Sequence, residues 1–398
     1  MNSDPKLSFD NLEVAFASKS DARLRKMHLI FGILNNQLLM NAGKALTKLG
    51  LKLRLPIKGI IRKTVFDHFC GGETIADCQL AIAELNEYRI GTILDYSVEG
   101  EKTENSFDHT TAEIIRTIEN AAGNANIPFS VFKVTGLASS ELLEKIQAKK
   151  PLSEKEVAAF QKVRERVDAI CAKAKQLNVP IFIDGEESWM QEVIDSLTYE
   201  MMEKYNAQNA IVYNTYQMYR HDMLGNLKDA FEVAKEKGYI LGAKLVRGAY
   251  MEKERERAAE MAYPSPIQPN KKATDADYDQ ALKFCVDHID KIRLCSGSHN
   301  EQSNYYLSIL IEKTGLAKND PRIYFAQLYG MSDNISYNLA QAGYNVAKYV
   351  PYGPVRAVMP YLFRRAEENT SIAGQSSREF ALISRERKRR KEASRKSA

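Results

Sequence analysis

The chain is poor in cysteine: five in 398 residues (Cys70, Cys78, Cys171, Cys285 and Cys295), with no C-x-x-C pair among them. An odd and scattered set excludes a disulfide framework and supplies no zinc-ligand spacing. The six histidines are dispersed too, which argues against metal catalysis. No stretch approaches the roughly 18 to 20 uncharged apolar residues of a membrane-spanning helix, in keeping with a mean hydropathy of −0.39. An excess of one charge is also missing, since 56 basic and 51 acidic residues leave only +5, too mild to imply nucleic acid. No P-loop, serine nucleophile elbow or G-x-G-x-x-G occurs, which disfavours phosphoryl transfer, acyl transfer and the usual dinucleotide fold. Met1 to Lys6 carries no secretion or transit signal, so a cytoplasmic location is expected.

What is present is a repeat of short β-branched or aromatic runs, each followed by an amphipathic stretch. They fall at 88–96, 129–136, 179–186, 210–217, 240–250, 292–300, 322–330 and 344–353. Eight βα units predict an α/β fold, a (β/α)8 barrel of distorted TIM type, with an open doubly wound sheet as the alternative. Residues 1–87 form an N-terminal helical arm in this reading, 88–372 the barrel and 373–398 a basic tail. Between the second and third runs, the spacing predicts a helix capped by Ser153 that buries Val157, Phe160, Val163, Val167 and Ile170. The basic segment 44–63 reads as an arm packed on the barrel with solvated lysines, or as a membrane-surface helix. The charge run at 385–395 reads as a solvated or frayed end.

A barrel places chemistry at the carboxyl ends of its strands, where Lys133, Asp184, Asn214, Arg247, His299, Tyr329 and Tyr349 fall. Lys133 sits inside an apolar run and Asp184 ends another, and a buried lysine beside an aspartate is either a Schiff-base nucleophile or a charge pair that shapes the pocket. Downstream, Gly353-Pro354 is read as stopping a strand and starting a helix at Pro354. On that helix Tyr361, Arg365 and Glu368 share a face, and Arg364 stands four residues before Glu368. Paired guanidinium groups suit a carboxylate and an acid suits an amine, so the pattern fits an amino acid held at both ends; a surface ion-pair helix is the alternative.

The ordered set 244–250 (KLVRGAY), 298–300 (SHN), 349–353 (YVPYG) and Tyr361-Leu362-x-Arg364-Arg365-x-x-x-Asn369 resembles the proline dehydrogenase family. The likeness implies FAD at the strand ends and oxidation of L-proline to Δ1-pyrroline-5-carboxylate, with electrons passed to a quinone in the membrane. It implies that Arg364, Arg365 and Glu368 hold the substrate's ends beside Lys133 and Asp184, with Leu328, Tyr349, Tyr361 and Tyr250 around its ring. On the flavin side it implies Asn214, Lys244, Val246, Gly248, Ala249, Lys271, Thr274, His299 and Asn300. Lys244 stands where much of the bacterial family has arginine, and Asn214 where many members have glutamine. The tyrosine at 349 resembles the proline-specific rather than the hydroxyproline-oxidising branch. The quinone implies transient membrane-surface contact, for which the basic arm and tail are the candidates. A lysine aldolase and a basic binding protein remain as alternatives, and 252–275 is the expected lid.

Overall fold

The computed structural model describes residues 7–53, 58–98, 102–371 and 375–396, apart from the side chains of 44, 48–52, 60, 366–371 and 375–377. Eight parallel strands pair in sequence order and close on themselves: β1 Ile90–Tyr96, β2 Phe129–Phe132, β3 Ile181–Ile183, β4 Val212–Gln217, β5 Leu241–Val246, β6 Ile292–Gly297, β7 Ile323–Leu328 and β8 Val346–Tyr352. Each expected run contains one strand, and the β1–β8 seam is paired from Ile90↔Val346 to Tyr96↔Tyr352. The fold is a (β/α)8 barrel. Its strands are covered on both faces, so they read as apolar runs without clean alternation. Ile93, Phe129, Val131, Phe182, Tyr213 and Ala347 fill the interior, where Phe129 and Phe182 stack with ring centroids 4.4 Å apart.

The helices that matter below are α1 Asp21–Leu34, α2 Gln37–Lys52, α3 Glu154–Leu177, α4 Ser188–Tyr205, α5 Met251–Glu260, α6 Lys271–Asp287, α7 Glu301–Lys313, α8 Asp333–Gln341, α9 Met359–Ser371 and α10 Gln375–Lys396. Ser153 caps α3 in a capping box with Glu156, and Val163, Val167 and Ile170 are buried. Val157 departs from expectation at 55% exposure and Phe160 is only half-buried, at the start of α3 where every residue from 154 to 160 is exposed or half-buried. Pro354 is also not a first helical residue. A turn over 355–358 intervenes, with the Ala357 and Val358 N–H groups donating to the Pro354 carbonyl, and α9 starts at Met359.

The arm and the tail form a second core against the barrel. Phe16, Leu24, Met27, Phe31, Phe66 and Phe69 pack with Val358, Met359, Tyr361, Leu362, Leu382 and Ile383. The charge run at 385–395 is therefore part of a docked helix and not a frayed end. Buried Glu386 accepts hydrogen bonds from Arg389 and Arg390, and Arg390 also donates to the carbonyls of Phe16 and Lys19. Arg385, Arg389 and Arg390 also pair with Asp10, Glu13 and Asp21, so three arginines of the run hold α10 to the arm.

Beneath this contact lies a buried ionic cluster. Lys348 on the outer face of β8 pairs with Asp333 at the start of α8 (2.9 Å), and Lys19 of the arm reaches the same carboxylate (3.3 Å). Glu379 of α10 accepts the Ser332 N–H at 2.6 Å. Burial, with the Asp333 charge, pushes its carboxyl up to about 7. An acid whose folded pKa is raised costs stability as pH rises from its ordinary value, 4.5, toward 7, because the folded state holds the proton more tightly. Glu379→Gln, which keeps an acceptor for Ser332, should match wild type below about pH 4.5 and be more stable by about 3 kcal/mol above pH 8. Urea midpoints across pH check this, and parallel curves for the two proteins would refute it.

Candidate active site

The carboxyl ends of β2, β3, β5 and β8 bring four expected residues together. Asp184 follows β3 and accepts from Lys244 Nζ of β5 at 2.5 Å and from the Tyr349 hydroxyl of β8 at 3.1 Å. Lys244 also donates to the Tyr349 oxygen at 2.6 Å and sits over the Tyr349 ring, 4.5 Å from its centroid. Lys133, just after β2, lies 3.5 Å from the other Asp184 oxygen and 3.7 Å from Asp95. Asp95 on β1 is not among the expected site residues, although it stands two residues after the interior residue Ile93 and therefore points inward. Two ammonium groups and two carboxylates thus balance inside the barrel. Burial alone would raise the Asp184 carboxyl, but the Lys244 and Lys133 charges and the two hydrogen bonds hold it below its ordinary value. Burial, then the Asp184 and Asp95 charges, push the Tyr349 phenol well above its ordinary value, so it stays protonated as a donor.

Helix α9 reaches the same end of the barrel, where it meets Leu328 and Tyr250. Arg365 is 5% exposed and stacks over Tyr361 at 5.1 Å, while Arg364 lies 5.7 Å from the Tyr250 ring centroid. Leu328, at the end of β7, packs against both the interior cluster and the α9 cluster. Glu368 is on α9, but its side chain lies outside the described residues.

A second region forms at the ends of β5 and β6. Arg247 donates to Asp275, Ser298 and Ser303 at 2.8 to 2.9 Å, and Lys271 pairs with Asp275 at 2.5 Å. Gly248 has φ +128°, and a Cβ there would fall 2.5 Å from the Tyr219 ring, so the turn past Val246 toward Ala249 needs glycine. His299 shares a 2.8 Å hydrogen bond with Ser332. Burial, with the Lys348, Arg365 and Arg247 charges, lowers its pKa to about 3, leaving a neutral imidazole. Asn300 caps α7, and buried Thr274 sits in the first turn of α6. Two cations beside two helix N-termini form a donor set that fits the diphosphate of a dinucleotide.

Asn214 does not join this region. Its side chain faces the helix layer, donating to Asp195 (2.9 Å) and Tyr199 (3.2 Å) of α4. Strand parity explains the correction, because Tyr213 is interior and Asn214 must point the other way. Gln217, four residues after Tyr213, shares its parity and donates to the Glu186 carbonyl at 2.6 Å. The expected lid contains α5, which is pinned: buried Glu254 accepts from the Ser188 N–H and hydroxyl, both at 2.6 Å. A cavity of about 270 Å³ lies at the opposite end of the barrel, lined by Gly91, Pro128, Tyr324 and Val346, away from these charges. Among the described residues no group of acidic, histidine and cysteine side chains could hold a metal.

The model of the family described as proline dehydrogenase matches residues 78–378. The chain belongs to the proline dehydrogenase family. Proline dehydrogenase 1, mitochondrial, of Dictyostelium discoideum is 33% identical over 431 residues, covering 97% of this chain and 75% of that protein. The human protein of the same name is 42% identical over 234 residues, covering 58% of this chain and 39% of its own length. Proline utilization A from Bdellovibrio bacteriovorus, crystallised after inactivation by N-propargylglycine, superposes with a TM-score of 0.70 at 20% identity, covering 90% of this chain and 38% of that one. At that identity the superposition speaks for the fold alone. The chain spans about two fifths of the length of the human and Bdellovibrio proteins. No helix among the described residues is long and apolar enough to cross a membrane.

Proposed function

We propose that the chain oxidises L-proline to Δ1-pyrroline-5-carboxylate with FAD as its cofactor and a membrane quinone as final acceptor, as the first step of proline catabolism. The observation that carries this reading is the charge-balanced cage of Lys133, Lys244, Asp95 and Asp184 at the barrel end reached by a helix that carries Arg364 and Arg365. When bound, FAD supplies a hydride acceptor for C5 of proline. Arg247, Lys271 and the starts of α6 and α7 would hold its diphosphate, with Val246, Gly248, Ala249, Thr274, His299 and Asn300 beside it.

Arg364 and Arg365 would bind the substrate carboxylate, and Glu368 is the acid that the family resemblance assigns to the amine. Tyr349, Tyr361, Leu328 and Tyr250 wall the ring and exclude water, which favours the neutral amine that the reaction needs. Lys244, tied to Asp184 and Tyr349, keeps that phenol fixed on the ring-binding wall. Lys133 stands between two carboxylates, and an ammonium so placed is a counter-ion and not a free amine. This weighs against a Schiff-base aldolase. The protein works in the cytoplasm, with transient contact at the inner face of the cytoplasmic membrane.

The test is turnover of L-proline with an artificial dye acceptor and capture of the product by o-aminobenzaldehyde. A coloured adduct from L-proline, and much less from hydroxyproline, is expected. No adduct from FAD-supplied protein would overturn the reading.

A further inference from the structure

Among the described residues, six of the eleven exposed large apolar side chains crowd into one stretch of the arm: Leu29, Ile33, Leu38, Leu39, Leu46 and Leu53. Leu38 is 80% exposed and Leu46 is 69% exposed. On an α-helix, positions 38, 42, 45 and 46 fall within an arc of about 100°, and Leu38, Ala42, Ala45 and Leu46 are all exposed there. Met40, on the opposite side of α2, is the residue that faces the body and is buried. An amphipathic helix packed on a core turns its apolar stripe inward; α2 turns it outward. On α1, Leu29 and Ile33 continue the apolar surface beyond the buried Met27, Ile30, Phe31 and Leu34.

Cationic residues flank this surface. Arg25 precedes Leu29 by one turn and is exposed. The Arg387 charge of α10 acts on His28, and Lys391 and Arg395 extend the exposed side of the same helix. Along α2 itself the sequence has lysine at 44, 48 and 52, a four-residue spacing. The exposed residues are aliphatic, without the tryptophan and tyrosine anchors that dominate protein–protein contacts. Leucine and alanine bordered by cations is the chemistry of a helix lying in an anionic bilayer surface.

We propose that the outward face of α1 and α2 is a lipid-docking surface that inserts Leu38, Leu46 and their neighbours among the acyl chains of an anionic membrane. The partner is the bilayer itself, and the surface names the part of the molecule that would meet the membrane of the proposed quinone. Its position suits that role. Both helices pack against α9, the helix carrying Tyr361, Arg364 and Arg365, so docking would set that end of the barrel beside the lipid.

The test is co-sedimentation of the full-length, FAD-loaded protein with vesicles of phosphatidylcholine containing about one third phosphatidylglycerol. Wild type should bind at low salt and bind less at high salt. Leu38→Glu with Leu46→Glu should weaken binding roughly tenfold or more, whereas Leu80→Glu, at a residue 70% exposed outside this face, should not. A Leu46→Trp variant, measured against wild type with its one native tryptophan, Trp189, should give blue-shifted emission on binding and be quenched by brominated acyl chains. Unchanged binding by the double variant, or an introduced indole whose emission does not shift, would overturn the proposal. So would a wild-type dimer that fails to bind vesicles and becomes a monomer in the double variant, since a second copy would then cover the face. Dye reduction by L-proline is measured alongside; it fails only if the proposed reaction is wrong, and stands if only the docking surface is wrong.

Discussion

Changing Arg365 to methionine should raise KM for L-proline roughly a hundredfold or more while FAD content stays near that of wild type. The residue is 5% exposed and lies over Tyr361 one turn earlier on α9. Its guanidinium therefore has little access to solvent, where its attraction for a carboxylate would be screened. Methionine fills much of the same volume and keeps the contact with Tyr361, so what is lost is the charge. The dinucleotide region at the ends of β5 and β6 draws its cations from Arg247 and Lys271, which is why flavin should remain. Steady-state kinetics with a dye acceptor and the flavin-to-protein absorbance ratio check both halves. An unchanged KM would remove Arg365 from the substrate site.

Asp184→Asn should destabilise the protein by about 3 to 5 kcal/mol and abolish most turnover. The substitution keeps shape and deletes one charge, leaving Lys244, 5% exposed, and Lys133 with Asp95 as the remaining carboxylate of the cage. Tyr349 would lose the acceptor that orients its hydroxyl. Adding Lys244→Met should recover part of the lost stability, because the two residues share one contact and cannot behave additively. Urea unfolding of the four proteins of this cycle measures the coupling. Additive effects would mean that the 2.5 Å contact between Asp184 and Lys244 contributes nothing.

The eight strands are legible in the sequence because each is a short apolar run between turn residues, and Lys133 inside one such run and Asp184 at the end of another stand out as charges. Which way each strand residue points is less legible. A parallel barrel hides both faces of its strands, so 210–217 (AIVYNTYQ) carries no alternation to show that Asn214 faces α4 and Gln217 the interior. Asp95 escapes notice for the same reason. Lys348 stands next to Tyr349 yet points outward to Asp333, a pairing across 15 residues that no local pattern announces. The tail reads as a charge run because basic residues outnumber the few that dock it, Leu382, Ile383 and Glu386, all buried. The turn after Pro354 delays α9 without changing which residues share its face.

The visible spectrum of the purified protein, repeated without oxygen after adding L-proline, tests cofactor, substrate and reaction together. An oxidised flavin spectrum that bleaches with L-proline, and far less with hydroxyproline, is expected. A colourless protein that stays inert after FAD is supplied would contradict it, and would return attention to Lys133 and to trapping of a Schiff base with borohydride.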